Sequence, residues 1–422
     1  MTNTLLDIVS SPENLLLAWG KLNKVNKLSH GIDDVTIQDF ADNLDDKISS
    51  ISKSLKDHNY AFSPNRAVLI PKSNGKFRPL QVPIIADRLV LKAIAIELEN
   101  QFDELISKSE GVSFAYQKKL GVRDAVYKIK EHHDNGNQIV LEADLINFFG
   151  EVDKNELLNR QVFPGLKDKS LNDLIGSALN QEIGGLDNIK RHQLKYFENL
   201  NNGIPQGNPL SPLLSNIYLS PFDIYLKNKG YNLVRYADDF VILCKEIDDC
   251  HRAFNDCKDI LSRLKLKIHP LEENGKTKIV DLKQDSFDFL SITFDGKNYY
   301  PSEENVNRFK SKIRDICNGK VEYNVLSLLQ KISNVFDGWL SAFYYTQVER
   351  YEEEIDYYIN RQVFLALNKF HWKFTPTSKG KLPAKYRHDQ KSADCLSMTQ
   401  REKSGIPRCS NLLKQKRNES QN

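Results

Sequence analysis

Apolar and polar residues follow two different periods along the chain, and together these periods predict a mixed fold. The segments with helical spacing are 11–60, 86–108, 247–264 and 302–370. The short apolar, β-prone runs that predict strands lie at 67–70, 77–82, 138–143 and 233–243, with two more around 278–294. Mixed helix and strand followed by helix alone predicts an α+β body and then a helical module.

The length and composition describe a globular chain with more than one core. At 422 residues, with 40% hydrophobic and 27% charged residues, two or three subdomains are expected. No apolar run approaches the roughly 20 residues that span a bilayer, and no signal-peptide pattern stands at the N-terminus. Six scattered cysteines without a C-x-x-C pair argue against a zinc ribbon or a disulfide framework and predict a reducing cytoplasm.

The net charge of +3 is unevenly distributed. From His371 to Asn422 twelve Lys and Arg stand against four Asp and Glu, so this tail carries +8 and the first 370 residues carry −5. A basic tail on a mildly acidic body favours a polyanionic partner such as nucleic acid. A solvated, poorly ordered terminus is the simpler alternative.

Paired acids form the first candidate site. Asp238 and Asp239 stand between two short apolar runs, which predicts a hairpin with both carboxylates at its tip. One interpretation is an exposed turn, in which Asp is common. The other is a divalent-metal site, because Mg²⁺ binds carboxylate oxygens. Asp144 ends the apolar strand 138–143 and is either a helix N-cap or a third ligand. If the two strands are neighbours, the three acids make a two-metal site for phosphoryl or nucleotidyl transfer.

A second candidate is the hairpin at 66–78, which carries Arg66, Lys72, Lys76 and Arg78 and no acid. A two-residue Asn74-Gly75 loop would send Arg78 to the face opposite Lys72. A three- or five-residue loop containing Gly75 would place both on one face, where they could bind a triphosphate. Surface solubility is the alternative.

The loop at 203–214 is the third candidate, because it is dense in glycine and proline. Glycines permit close approach to a ligand, and the Gln206 amide can hydrogen-bond a base or a sugar. Ser211 followed by Pro212 predicts an N-cap and the first turn of a helix. An ordinary helix entry is the alternative.

In order and spacing these segments resemble reverse transcriptases of the bacterial group II intron and retron lineage. The main matching motifs are Asp144 with Phe149, Pro205-Gln206-Gly207, Leu210-Ser211-Pro212-Leu213 and Tyr236-Ala237-Asp238-Asp239. Further matches are Arg78-Pro79-Leu80, Pro83, Asp87-Arg88, Ser113-Phe114, Asp124-Ala125, Lys276-Thr277-Lys278, Phe289-Leu290 and Gly338-Trp339. The resemblance covers about 14–345.

The resemblance implies a right-hand polymerase fold with fingers, a palm built on an antiparallel sheet, and a helical thumb. The domains expected from it are a helical extension at 1–60, fingers at 61–135 with interleaved helices at 155–202, a palm at 136–154 and 203–297, a thumb at 298–370 and a basic tail at 371–422.

It also implies roles for particular residues. Asp144, Asp238 and Asp239, with Leu145 beside them, would hold two Mg²⁺ ions, for which Mn²⁺ could substitute. The residues expected to bind the nucleotide are Arg66, Lys72, Arg78, Phe149 and Gln206. The residues expected to bind the primer and template are Tyr236, Lys276, Lys278, Arg308 and Lys312.

Two of these roles also have support from the residues alone. A bulky ring at Phe149, beneath the ribose, would exclude a 2′-OH and favour dNTPs; a core Phe is the alternative, and Phe148 fits that description. The helix predicted at 305–317 has apolar residues at helical spacing, while Arg308 and Lys312 belong to a basic remainder that suits a duplex backbone. A solvated helix face explains the same charges.

The chain departs from the common family pattern at three places. Ile146-Asn147 replaces a frequent Lys-Gly, Gly150 replaces an acid, and Ser291 replaces a Gly after Phe-Leu. No metal ligand is lost. Only about fifty residues follow the thumb, and their segment 400–407 resembles defence-associated reverse transcriptases.

The expected function is therefore RNA-directed synthesis of cDNA from dNTPs on a structured non-coding RNA, in bacterial antiphage defence. The enzyme is expected to be cytoplasmic, to lack a membrane partner and to be able to form homo-oligomers. A compact group II intron-encoded reverse transcriptase or maturase is one alternative. An RNA-binding cofactor with vestigial polymerase activity is the other.

Overall fold

The computed structural model describes residues 3–72, 75–198, 200, 202–273, 275–319, 324–370 and 396–420. The chain divides into two compact units, Met1–Ile279 and Val280–Asn422. Within the described ranges no helix is long and apolar enough to cross a membrane. The part of the predicted basic tail at 371–395 lies outside the described residues.

The first unit mixes helices and strands. Its α-helices are α1 (Leu5–Ser10), α2 (Pro12–Lys21), α3 (Ile37–Ala41), α4 (Leu44–Lys56), α5 (Ile85–Gln101), α6 (Asp103–Ser107), α7 (Val122–Asp134), α8 (Phe148–Glu151), α9 (Lys154–Glu156), α10 (Asn172–Leu179), α11 (Ser211–Asn228) and α12 (Ile247–Arg263). A π-helix spans Leu157–Val162, and 3₁₀ turns span Phe163–Gly165, Leu186–Asn188 and Arg191–Tyr196. The strands are β1 (Asn65–Pro71), β2 (Phe77–Val82), β3 (Ile139–Asp144), β4 (Ile183–Gly184), β5 (Asn232–Tyr236) and β6 (Asp239–Cys244), and β7 (Lys278–Asp281) spans the boundary.

The second unit begins with three short strands and is otherwise helical. The strands are β8 (Phe287–Phe289), β9 (Ile292–Phe294) and β10 (Tyr299–Pro301). The helices are α13 (Glu303–Asn318), α14 (Val325–Phe343), α15 (Glu352–Lys369), α16 (Met398–Lys403) and α17 (Cys409–Glu419), with a 3₁₀ turn at Val348–Tyr351.

An antiparallel sheet with the order β5-β6-β3-β7 lies at the centre of the first unit. Its middle strands β3 and β6 are apolar along most of their length and are buried, as expected for strands covered on both faces. β3 pairs with β6 from Ile139 opposite Cys244 to Asp144 opposite Asp239. The sheet core therefore fixes which residues emerge at its polar edge.

A second sheet has the order β2-β1-β4. β1 and β2 form an antiparallel hairpin in which Pro71 pairs with Phe77 and Ile70 with Arg78. The Lys72 amide donates to the Lys76 carbonyl at 2.8 Å and closes the hairpin. This is the three-residue register.

Helix α5 is largely buried in the hydrophobic core of the first unit. Nine of its apolar side chains are almost completely buried, because its non-polar residues are not confined to one stripe. Asp87 in its first turn is buried too, and it accepts hydrogen bonds from the Tyr60 hydroxyl at 2.7 Å, the Ser63 amide at 3.0 Å and Gln181 Nε2 at 3.1 Å. The helix is thereby tied to the segments that lead into β1 and β4.

In the second unit, the described end of the chain packs on the helices before it. Arg401 of α16 and Asp356 of α15 form a buried ion pair at 2.6 Å, and Leu412 and Leu413 of α17 are buried. Residues 396–420 of the predicted basic tail are therefore folded, whereas the sequence left a poorly ordered terminus open.

The α+β fold class is confirmed, as are the hairpins and the other long helices. Three local predictions are wrong. The helix predicted at 86–108 is two helices, α5 and α6, because the backbone leaves helical geometry at Phe102. Three strands rather than two lie in 278–294, because runs of three or four residues are too short to show a period. Ser211 is the first helical residue and not the N-cap, since its hydroxyl donates to the Pro205 carbonyl at 2.7 Å.

Candidate active site

The three candidate acids meet at one edge of the central sheet. Asp144 is the last residue of β3 and lies directly opposite Asp239, the first residue of β6. Tyr236 also pairs with Asp239, so Ala237 and Asp238 form a two-residue turn between β5 and β6. The N-cap alternative for Asp144 does not hold, because Asn147 occupies that position of helix α8.

The turn has an unusual backbone. Ala237 has a φ of 60°, in the left-handed region, which costs an L-residue roughly 1–2 kcal/mol. Its carbonyl oxygen accepts a hydrogen bond from Nη1 of buried Arg235 at 2.8 Å. Sequence reasoning did not single out Arg235, although an arginine inside an apolar strand beside two acids was a signal.

The acids raise one another's pKa. Withdrawal from water and the charge of Asp144 raise the pKa of Asp238, against the smaller opposing effect of Arg78. Burial and the negative charges of Asp238 and Asp144 together raise the pKa of Asp239 to about 7. Carboxylates that repel each other in this way attract a cation strongly.

Lysine supplies a positive charge at this edge. The Lys276 ammonium contacts Asp144 Oδ2, and His269 Nε2 lies 3.8 Å from the same oxygen. Among the described residues no three His, Cys, Asp or Glu side chains are arranged to hold a metal ion as they stand. The amino group of Lys276 would have to leave Asp144 for a metal to bind there.

The donor set nevertheless fits hard divalent cations. Carboxylate oxygens are what Mg²⁺ and Mn²⁺ prefer, and mutual repulsion leaves Asp238 and Asp239 in need of a counter-charge. The Leu145 side chain is 3% exposed and apolar, so only its main-chain carbonyl could contribute. Lys276 is 64% exposed and has room to move aside.

The basic residues of the hairpin lie at its two opposite ends. Lys72 and Arg78 lie on one face near its loop, and the charge of Arg78 reaches Asp238, whose pKa it lowers. Arg66 lies six residues from Lys72, about 20 Å along the strand. There its Nη2 donates to the His30 carbonyl at 3.0 Å. The structure thus brings Arg78 toward the acids and leaves Arg66 at the base.

The Gln206 loop is docked on this hairpin. The Gln81 amide of β2 donates to the Gln206 carbonyl at 2.8 Å. At Gly207, with a φ of 105°, a Cβ atom would lie 2.7 Å from the Gln81 carbonyl oxygen, so only glycine fits. Gln206 Oε1 is buried without a hydrogen-bond partner, which leaves an acceptor available to a ligand.

The two neighbouring phenylalanines differ in exposure. Phe148 is 2% exposed and belongs to the core, whereas Phe149 is half-buried and packs edge-on against it, with ring centroids 5.3 Å apart. The Phe149 carbonyl accepts a hydrogen bond from the Ile204 amide at 2.9 Å. The candidate gate is therefore joined to the loop that carries Gln206.

The remaining predicted residues are in both units. Tyr236 flanks the acidic turn, and Lys278 Nζ lies 3.4 Å from Glu142 Oε2. In the second unit Arg308 and Lys312 of α13 line a groove with Asn334 and Gly338 of α14. Arg308 is also paired with Glu304 one turn away, at 2.9 Å.

Comparison with known proteins finds one matching family and several similar chains. The family described as reverse transcriptase (RNA-dependent DNA polymerase) matches residues 70–294. Protein YkfC of Escherichia coli K12 is 28% identical over 68% of this chain and 81% of its own length. The group II intron-encoded protein LtrA of Lactococcus lactis is 31% identical over 59% of this chain but only 38% of its own length. A solved partial Cas6-RT-Cas1–Cas2 complex is similar at 28% identity over 62% of this chain and 43% of its own, with a TM-score of 0.37.

An antiparallel sheet with three aspartates at one edge is the arrangement expected of a nucleotidyl-transferring polymerase of the right-hand type. The matched family covers more than half of the chain. The chain belongs to the reverse transcriptase family, the RNA-directed DNA polymerases.

Proposed function

We propose that this protein synthesises cDNA on an RNA template by nucleotidyl transfer assisted by two Mg²⁺ ions. The observation that carries the proposal is the register that sets Asp144 opposite Asp239, with Asp238 in the adjoining turn. In the reaction the primer 3′-oxygen bonds to the α-phosphorus of a dNTP, the bond from that phosphorus to pyrophosphate breaks, and the hydroxyl proton passes to solvent. Two bound ions would lower the pKa of that hydroxyl and stabilise pyrophosphate.

The chain's own residues account for selection and orientation of the nucleotide. Lys72 and Arg78 share the face of the hairpin from which the charge of Arg78 reaches Asp238, which supports a role in binding the triphosphate. The free acceptor of Gln206 supports contact with the incoming nucleotide. Phe149, half-buried beside that loop, would stack beneath the sugar and exclude a 2′-OH.

Contacts with the template and primer rest on charge. Lys276 and Lys278 lie beside the acids and are held by Asp144 and Glu142, and Tyr236 adjoins the turn. In the second unit the groove containing Arg308 and Lys312 is basic and bordered by the amide of Asn334, which suits a phosphate backbone.

A charge-neutral substitution tests the proposal. Asp238→Asn should abolish dNTP incorporation on a primed RNA template, because the site loses a ligand for the ions, while the circular dichroism spectrum and melting temperature remain near wild type. Asp248→Asn, an exposed acid of α12, is the matched control and should retain activity. DNA synthesis by the Asp238 variant would refute the two-ion centre.

We further infer that the template is a structured non-coding RNA and that the enzyme acts in bacterial antiphage defence, in the cytoplasm. The five described cysteines are free, which agrees with a reducing compartment. The similarity to LtrA favours the alternative of an intron-encoded reverse transcriptase or maturase. A vestigial, RNA-binding role predicts that Asp238→Asn leaves the biological phenotype unchanged.

Sequencing the RNA and cDNA that copurify with the protein decides among these templates. A single non-coding RNA with a complementary cDNA would support the defence proposal. A copurified group II intron would overturn it in favour of the intron-encoded alternative. RNA without any cDNA would support the vestigial role.

A further inference from the structure

We propose that Arg235 is a positioning residue for polymerisation, which acts by holding the Ala237–Asp238 peptide in the orientation that presents Asp238 to the metal ions. The inference rests on the proposed function of the acids. It goes beyond that function because Arg235 lies in strand β5, is 1% exposed, and has no access to a substrate.

All five N–H groups of the Arg235 guanidinium are used. Nε and Nη2 donate to the two carboxylate oxygens of Asp223, each at 2.6 Å. Nη2 also donates to Ser113 Oγ at 2.8 Å, and Nη1 donates to Asn216 Oδ1 at 3.3 Å and to the Ala237 carbonyl at 2.8 Å. The guanidinium group is planar, and hydrogen bonds from all of its N–H groups hold it in one orientation. Its Nη1 donor therefore holds the Ala237 carbonyl in one position.

The turn requires such a restraint. Ala237 is in the left-handed region, which is unfavourable for a residue with a Cβ atom and persists only where the surroundings hold it. If the Ala237–Asp238 peptide rotated to relieve this strain, the Asp238 carboxylate would leave the edge where Asp144 lies. The hydrogen bond from Arg235 opposes that rotation.

Stability alone does not explain the network. Asp223 is completely buried, and a buried ion pair is commonly replaced by apolar residues with no loss of stability. The network instead ties the turn between β5 and β6 to the segment 113–115. That segment is held through Ser113 Oγ and through the Ala115 carbonyl, which accepts a hydrogen bond from Asn216 Nδ2 at 2.8 Å.

The decisive variant removes the ion pair without leaving a buried charge. In Arg235→Met with Asp223→Leu, apolar side chains replace both members, so the fold should be retained. The Ala237 carbonyl then has no guanidinium donor. We expect Mn²⁺ affinity of the protein alone, measured by electron paramagnetic resonance, to fall about tenfold, as for other residues that orient metal ligands. We expect kcat to fall 10- to 100-fold with little change in KM for dNTP.

Ser113→Ala is the matched control, since it removes one hydrogen bond from the same guanidinium but leaves the bond to Ala237. It should keep Mn²⁺ affinity and kcat within about twofold of wild type. The single variant Arg235→Lys keeps the charge but not the fork, so it should lose Mn²⁺ affinity as the double variant does.

A folded double variant with wild-type Mn²⁺ affinity would overturn the proposal, as would an equal loss in Ser113→Ala. If the double variant unfolds, Arg235→Lys provides the same comparison. Failure of the proposed function is distinguishable, because a wild-type protein without polymerase activity would still show whether Arg235 governs Mn²⁺ binding.

Discussion

Asn147 and Gly150 lie in close contact near the edge that carries the candidate acids. Asn147 has a φ of 47°, and Asn tolerates this conformation better than most residues. A Cβ atom on Gly150 would lie 2.4 Å from Asn147 Nδ2. A side chain at position 150 would therefore compete for space with the Asn147 side chain.

This pairing predicts a coupled effect on stability. Gly150→Ala should gain less than the roughly 0.5–1 kcal/mol that alanine contributes over glycine inside a helix, because the new methyl group must displace the end of the Asn147 side chain. In an Asn147→Gly background the same change should give the full gain, since the side chain that it meets is gone. A double-mutant cycle of urea unfolding measures the coupling, and additive effects would contradict it.

The two adjacent phenylalanines should separate sugar selection from packing. Phe149→Ala should admit ribonucleotides, because the ring that would exclude a 2′-OH is removed. Phe148→Ala should instead cost about 3–5 kcal/mol of stability, since Phe148 is buried in the core, and should leave sugar selection unchanged. Competition between dNTP and NTP in primer extension provides the measurement. Unchanged selectivity in the Phe149 variant would remove that residue from the gate.

Among the elements, helix α5 depends on a buried acid at its start. Burial raises the pKa of Asp87 to about 6, and this outweighs the hydrogen bonds from Tyr60, Ser63 and Gln181, which lower it. The folded state thus holds the Asp87 proton more tightly than the unfolded state does. The stability that this proton contributes is fully present below about pH 4 and is lost as the pH rises toward 6 and above.

Asp87 therefore predicts a pH dependence. Relative to Asp87→Asn, the free energy of unfolding of the wild type should fall by about 1 kcal/mol between pH 5 and pH 7. Urea unfolding across that range measures the difference, and the exposed acid Asp45 changed to Asn controls for loss of a charge. A constant or rising difference would show that Asp87 does not titrate there.

The sequence predicted those elements whose period is long or whose turn is short and specific. The β5–β6 hairpin and helix α5 followed from pattern alone. The register of β1 with β2 required the structure, because two loop lengths were compatible with one sequence. The role of Arg235 was not predictable, since Ser113 is far from it in sequence and Asp223 belongs to the preceding helix, so that only the fold brings the three side chains together.

At the scale of the whole molecule, the described end of the chain is part of the second unit's core. The guanidinium of Arg401 lies 5.3 Å from the centre of the Phe336 ring and donates to the Asp356 carboxylate. Asp356 also accepts a hydrogen bond from the Cys409 amide at 3.0 Å. One buried pair thus joins α14, α15, α16 and the start of α17.

Removing one member of this pair should be costly. Arg401→Ala leaves Asp356 buried without its cation and should destabilise the protein by about 3–5 kcal/mol. Lys414→Ala, a change of the same charge at an exposed position of α17, should have little effect. Thermal unfolding followed by circular dichroism compares them. Equal melting temperatures would mean that the segment 396–420 does not support the unit.

The contact between Gln81 and Gln206 has a mechanical consequence. The Gln81 amide donates a hydrogen bond to the Gln206 carbonyl, and the Gly207 backbone lies close to the Gln81 carbonyl. These two contacts oppose a displacement of the loop along β2. Arg78 is three residues along that strand. A movement of the hairpin would therefore carry the Arg78 charge and the Gln206 amide together as one rigid element.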